Sequence, residues 1–170
     1  MAVSISKKQI MFGSIILLIL AIGAAIAIFL INGSRTAPLS ADTPNPSFSL
    51  VLPESKSADS LGGVSLVSPE GASPVYAYAD TINNIGITVS QQELPAAFKV
   101  DIDKKIEQLA KQDNANRTIK AGNTTVFVGK SVKGPQSLYF AKDGLLILVK
   151  SQNEISDADW IQYIASLKKI

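Results

Sequence analysis

The chain has 170 residues, a formal net charge of +2, no histidine and no cysteine. Without imidazole or thiol it cannot build Ser-His-Asp or Cys-His nucleophile systems, the usual zinc sites, redox thiols, disulfides or a lipidated cysteine. Its apolar content is uneven: 19 of the 22 residues from Ile10 to Ile31 are apolar and none is charged, whereas the rest has an ordinary globular composition.

The chain therefore reads as a cytoplasmic tail (1–9), a transmembrane helix (10–31), a flexible linker (32–47) and an extracytoplasmic domain (48–170). As a helix, residues 10–31 would extend about 33 Å, enough to cross a hydrocarbon core of about 30 Å. A cleaved signal peptide competes, since Lys7 and Lys8 form a basic start and Ala25-Ile26-Ala27 has the spacing of a cleavage site. The apolar run continues through Ile28 to Ile31, which favours a retained anchor. Lys7 and Lys8 precede the span, so the N-terminus is expected in the cytoplasm and the domain outside the cytoplasmic membrane. Gly23 and Ala27 match a small-xxx-small pattern that lets two helices approach, a weak homodimer face; small residues are also common in single spans. Beyond Arg35 there are 13 basic and 14 acidic residues, a balance that gives nucleic acid no basic surface to meet.

Residues 32–47 carry Pro38, Pro44 and Pro46 and one large aliphatic residue, Leu39, too little apolar surface to offset chain ordering. Period-2 alternation dominates the domain. Phe48 to Leu52 is predicted as a strand stopped by Pro53, and Val64 to Val67 as a second. Val75 to Ala79 and Ile85 to Val89 form a hairpin turning over Asp80 to Asn84. Gly122-Asn123 separates Arg117 to Ala121 from Thr124 to Gly129, setting Ile119 opposite Val126. Asp143-Gly144 separates Ser137 to Lys142 from Leu145 to Lys150, pairing Phe140 with Ile147 and Leu138 with Val149. Leu145 to Val149 is apolar on both faces and should be a central, doubly covered strand.

Two helices supply that cover. Ile102, Ile106, Leu109 and Ala110 form one apolar stripe, with Asp101 or Asp103 placed as N-cap. Ser156-x-x-Asp159 opens the other, in which Trp160, Ile161, Ile164 and Leu167 follow, with Lys168 and Lys169 in the last turn facing the helix dipole. The expected class is α+β: a mostly antiparallel sheet of about six to eight strands with two packed helices.

The succession FSLVLP, ITVSQQELP, IDKKIEQLAK, VFVGK, SLYFAKDGLLILVKS and DADWIQYIASLK resembles small bacterial extracytoplasmic domains. Some are of the PsbP/Mog1-like fold; others are the uncharacterised C-terminal domains of membrane-anchored, anti-sigma-factor-like proteins. The resemblance covers about 120 residues, carries over no functional residue, and implies an envelope protein whose domain binds or senses something.

Catalytic motifs are incomplete. Gly129-Lys130-Ser131 ends like a P-loop, but Thr124 stands where its first glycine belongs. Ser166-x-x-Lys169 has the spacing of penicillin-interacting enzymes without their companion motifs. Asp101-x-Asp103 and Asp157-x-Asp159 lie at helix starts, where capping explains them better than a metal. No catalytic residue, metal site or cofactor is assigned. Two surfaces remain as candidates for a partner, an unknown envelope protein or polymer. One is the aromatic pair Tyr76 and Tyr78, which core packing would equally explain. The other is the connection Lys130 to Gln136, with Lys130, Lys133, Gly134, Pro135 and Gln136. The expected role is non-catalytic binding or sensing; the alternatives are an envelope hydrolase using carboxylates or Ser/Lys, and a structural subunit assembling through its span.

Overall fold

Turn chemistry sets the register of the whole domain. In the computed structural model, which describes residues 46–68, 73–130 and 135–170, each tight hairpin turns on residues that accept a positive φ. Asp143 (φ 52) and Gly144 (φ 82) join β7 (Gln136–Lys142) to β8 (Leu145–Ser151), the pattern of a type I′ turn. The expected pairs Phe140–Ile147 and Leu138–Val149 result. Gly122 (φ 60) turns β5 (Arg117–Ala121) into β6 (Thr124–Gly129), with Ile119 opposite Val126 as expected.

The first hairpin is tighter than predicted. β3 (Tyr76–Ile82) and β4 (Ile85–Glu93) are joined by Asn83 and Asn84 alone, at φ 50 and 64. Asparagine tolerates this left-handed region because its short side chain bonds locally, so Asp80 lies within the strand rather than in the turn.

With the short β2 (Ser65–Leu66), these strands make one antiparallel seven-stranded sheet in the order β2-β3-β4-β8-β7-β6-β5. β8 is central, and Leu145 to Val149 are all buried. The sheet separates two cores. On one face, helix α1 (Ile102–Ala110) lays Ile106, Leu109 and Ala110 with Phe98 on Phe127, Tyr139, Leu146 and Leu148. On the other, helix α2 (Asp157–Ser166) brings Trp160, Tyr163 and Ile164 to Val126, Leu138, Phe140, Ile147 and Val149. The predicted class, α+β with two helices on an antiparallel sheet, is the one observed.

Three expectations are corrected. Lys168 and Lys169 do not close helix α2: Leu167 turns extended (φ −66, ψ 124), and Leu167–Lys169 becomes β9, paired antiparallel with β1 (Val51–Pro53) as a separate two-stranded sheet. Pairing satisfies their backbone better than a frayed turn. The cation at the helix C-terminus is instead Lys142, whose Nζ donates to Ile164 O at 2.8 Å. Asp101 occupies the N-cap position of α1 at φ 58 but makes no side-chain cap bond, and Asp103 accepts from Thr125 Oγ1 at 2.8 Å. Phe48 precedes β1 and packs edge-on against Tyr76, their centroids 5.6 Å apart. The expected span over 10–31, with Gly23 and Ala27, lies outside the described residues; among the described residues no helix is long and apolar enough to cross a membrane.

Gly129 shows how closely the turn that follows α1 is seated on β6. A Cβ there would stand 2.7 Å from Asp113 O and 2.8 Å from Ala115 N, both backbone atoms with no side-chain freedom to yield. At Gly122 a Cβ would meet nothing within 4 Å, and only its φ resists substitution. Gly129→Ala should cost about 2–3 kcal/mol and Gly122→Ala about 1 kcal/mol, read as shifts in urea midpoint at unchanged m. Equal midpoints would show that the segment 113–115 moves away from β6 freely.

Candidate functional site

The two sheet faces differ in how they treat polar groups. On the α2 face the described polar side chains are mostly matched. Gln91 on β4 accepts from Val51 N at 2.8 Å through Oε1 and donates to Val51 O at 3.3 Å through Nε2. Gln136 on β7 does the same for Ile155, accepting from its N at 2.8 Å and donating to its O at 3.2 Å. Gln136 Oε1 also accepts from Trp160 Nε1 at 3.1 Å. Ser156 then caps α2: its Oγ accepts from Asp159 N at 3.2 Å and donates to Asp159 Oδ2 at 2.6 Å, the predicted pairing.

A buried carboxylate sits on the same face. Asp80 is bridged by Lys56, accepts from Thr81 N at 2.7 Å, and accepts from Tyr163 Oη at 3.1 Å. Tyr163 gives its proton to Asp80, so the 3.5 Å contact between the Tyr78 and Tyr163 hydroxyls has Tyr78 as donor. Burial pushes both phenols well above their ordinary value of 10.0; Tyr163 is raised further by Tyr78 and Asp80 beside it. Two phenols held protonated are donors, not bases or nucleophiles. This cluster anchors a charge inside the core.

The α1 face is different at three positions on neighbouring rows. Strand pairing aligns Ala79, Thr88, Lys150, Ser137 and Gly129 across β3, β4, β8, β7 and β6. The adjoining row begins Ala77, Ser90 and Leu148, with Gln92 two residues further along β4. Ser90, Gln92 and Ser137 are buried, yet Ser90 Oγ, Gln92 Nε2 and Ser137 Oγ have no hydrogen-bond partner. A fourth such atom, Ser151 Oγ, belongs to the α2 face. An unpartnered buried polar atom costs about 1–3 kcal/mol, and three on one face of the sheet, on three successive cross-strand rows, mark the α1 face as the candidate binding region of the domain.

The predicted partner residues fall in several places. Lys130 and Pro135 are exposed ends of the β6–β7 connection; Lys133 and Gly134 lie outside the described residues. Gln136 is not on the surface: it is the buried clamp on Ile155 and Trp160. Tyr76 and Tyr78, 2% and 0% exposed, are core residues and form no aromatic platform. The hydrolase residues are also engaged elsewhere. Asp157 pairs with Arg117, Ser166 Oγ donates to Tyr163 O at 2.7 Å, and Lys169 lies on β9 rather than on the helix with Ser166. Among the described residues no group of three or more acidic side chains is placed to hold a metal ion. Sequence reasoning missed Ser90, Gln92 and Ser137, because alternation on β4 and on β7 marks them as solvent-facing.

No protein family matches the chain, and neither a curated protein nor a solved structure matches it.

The phenols give a pH test. Their folded pKa values exceed the unfolded 10.0, so the stability they contribute is complete below pH 10 and is lost as pH rises beyond it, by up to about 1.4 kcal/mol per unit for each. Urea midpoints should hold to near pH 10 and then fall steeply, with the tyrosinate absorbance of Tyr78 and Tyr163 rising only with unfolding. Tyr163→Phe should flatten that fall; tyrosinate signal from every tyrosine in the folded state would contradict the burial of the pair.

Proposed function

We propose that this chain is a single-pass protein of the cell envelope, anchored through residues 10–31, with a non-catalytic domain outside the cytoplasmic membrane that binds or senses a small polar ligand. The observation that carries the binding reading is the set of three unpartnered side chains, Ser90 and Gln92 on β4 and Ser137 on β7, on the α1 face. Two hydroxyls and an amide donor suit an uncharged ligand rich in hydroxyl, amide or carbonyl groups, which would satisfy them on arrival. Lys130 and Pro135 are the exposed ends of the connection between β6 and β7; Lys130 follows Gly129, and only Gln136 separates Pro135 from Ser137. The resemblance to PsbP/Mog1-like or anti-sigma-factor-like extracytoplasmic domains agrees with this role.

Support for the anchor comes from the apolar run itself and from Lys7 and Lys8 before it. A reporter active only outside the cytoplasm, fused after Ile170, should be active, and added protease should release the domain from spheroplasts. A protected domain would reverse the orientation.

Ser90→Ala and Ser137→Ala test the ligand. With no partner to lose, the double variant should melt within about 0.5 kcal/mol of the wild type or above it. Native mass spectrometry of protein extracted gently from its own membranes should show a small bound molecule in the wild type and none in the variant. A loss of about 1 kcal/mol for each substitution, with no change in bound species, would make the serines structural.

A further inference from the structure

The seven-stranded sheet has two edges, and they are finished differently. At one, the short β2 covers Tyr76 and Ala77, and further along β3 the amide of Thr81 is held by Asp80 Oδ1 at 2.7 Å. At the other, β5 ends the sheet with no strand beside it among the described residues. Ala121 and Thr124 flank the two-residue turn; such a flanking pair is hydrogen-bonded, and bonded and non-bonded pairs alternate from there. Ala121, Ile119 and Arg117 therefore bond to β6, while the N–H and C=O groups of Thr118 and Lys120 point outward. Both residues are exposed, and neither backbone finds a partner among the described residues. Natural edges are commonly guarded by charged side chains or proline. Residues 117–121 contain no proline, and their two cations are engaged within the domain: Arg117 with Asp157, and Lys120 with Thr125 Oγ1, which in turn donates to Asp103. Helix α2 flanks the same edge. Asp157, Ile161 and Ala165 follow at a spacing of four and share one side of the helix, the side whose Asp157 holds β5. Ile161 is half-buried and Ala165 exposed, so a strand added beside β5 has an apolar flank of modest bulk.

We propose that the β5 edge is a self-association surface whose occupant is β5 of a second copy of this chain, laid antiparallel about Ile119. Charge selects that register. Centred on Ile119, Thr118 of one copy stands opposite Lys120 of the other, Arg117 stands opposite Ala121, and no two cations face each other. Every outward N–H and C=O of Thr118 and Lys120 then bonds in both copies. Centring on Lys120 would set like charges directly opposite, which is destabilising. Centring on Thr118 would set Lys120 against Asn116, whose N–H is already given to Val128 O at 3.2 Å. The Ile119 side chains become neighbours on the α2 face, continuous with the core to which Ile119 belongs. The contact is isologous, and its two-fold axis stands perpendicular to the sheet. Both α1 faces, with Ser90, Gln92 and Ser137, therefore lie on the same side of one joined sheet.

The chain has no native cysteine, so introduced thiols report the register cleanly. Full-length Thr118→Cys and Lys120→Cys proteins in detergent, mixed and oxidised, should form a disulfide-linked dimer several-fold faster than either protein alone, because the register opposes the two positions. Asn153→Cys, exposed beyond the end of β8, should stay at the collisional level. Thr118→Pro removes an outward N–H and leaves the ladder to β6 intact; with one donor lost from each copy, it should weaken the dimer about ten-fold in sedimentation equilibrium. Gly23→Leu, outside the domain, should leave the dimer unchanged. A chain that is monomeric at every concentration, or a mixture that cross-links no faster than its components, would overturn the proposal. So would a dimer that Gly23→Leu disperses and Thr118→Pro does not. If Thr118→Pro misfolds, the cross-linking preference of the exposed cysteine positions decides the matter.

Discussion

Two buried glutamine amides hold the parts of this domain in their places. A primary amide offers one N–H donor side and one carbonyl acceptor, the same pair that a neighbouring strand presents. Gln91 gives that pair to Val51, and Gln136 gives it to Ile155. Each therefore replaces a strand that is not there. Gln91 lets the β1–β9 ribbon lie on the sheet without extending it, and Gln136 fixes the approach to α2 while holding the indole of Trp160. Val51 and Ile155 are buried, so removing either amide would strand a backbone donor and acceptor at about 1–3 kcal/mol each. The position of Trp160, the Ser156 cap and the Lys142 contact at the far end of α2 all follow from these two side chains.

That economy makes the opposite face informative. Where α1 lies over β6, β7 and β8 the buried contacts are apolar, with Asp103 and Thr125 bonded at the exposed margin, and Gly129 lets the backbone after the helix come close. Beside it, small and polar residues run across the sheet, and three of their buried polar atoms are unmatched. The fold gives Gln91 and Gln136 partners on one face, where Ser151 Oγ is the unmatched atom, and leaves Ser90, Gln92 and Ser137 without them on the other. The charged interior cluster, Asp80 with Lys56 and Tyr163, is on the α2 face, so the unmatched atoms of the α1 face are neutral hydroxyl and amide groups.

The elements that were readable in the sequence are those whose cause is local. Gly122-Asn123 and Asp143-Gly144 fix their hairpins within a few residues, so the pairs Ile119–Val126 and Phe140–Ile147 could be written down beforehand. The Ser156 cap and the two-sided burial of Leu145 to Val149 are local in the same way. Elements that depend on distant partners were not readable. Leu167 continues the helical spacing of Trp160 and Ile164, and only the presence of β1 draws it and the two lysines into a strand. Thr88, Ser90 and Gln92 alternate with apolar residues as a half-solvated strand would, yet β4 is covered on both sides. Gln136 has the composition of a loop residue, and its clamp is visible only once Ile155 is beside it. The candidate site was legible only as a neighbourhood, through the connection whose ends are Lys130 and Pro135.

The pairing of β1 with β9 also sets an order of events during synthesis. Val51 leaves the ribosome long before Gln91, 40 positions later, and its strand partner Lys169 follows 118 positions behind it. The strand next to the tether, with buried Leu50, Val51 and Leu52, must therefore wait unpaired while the seven-stranded sheet forms. Its ladder closes only when Leu167–Lys169 has emerged, a non-local contact of the kind that folds late and slowly. In a chain made from its N-terminus, the segment nearest the apolar run at residues 10–31 is thus the last to find its place, and a chain stopped before β9 would leave an open apolar edge there.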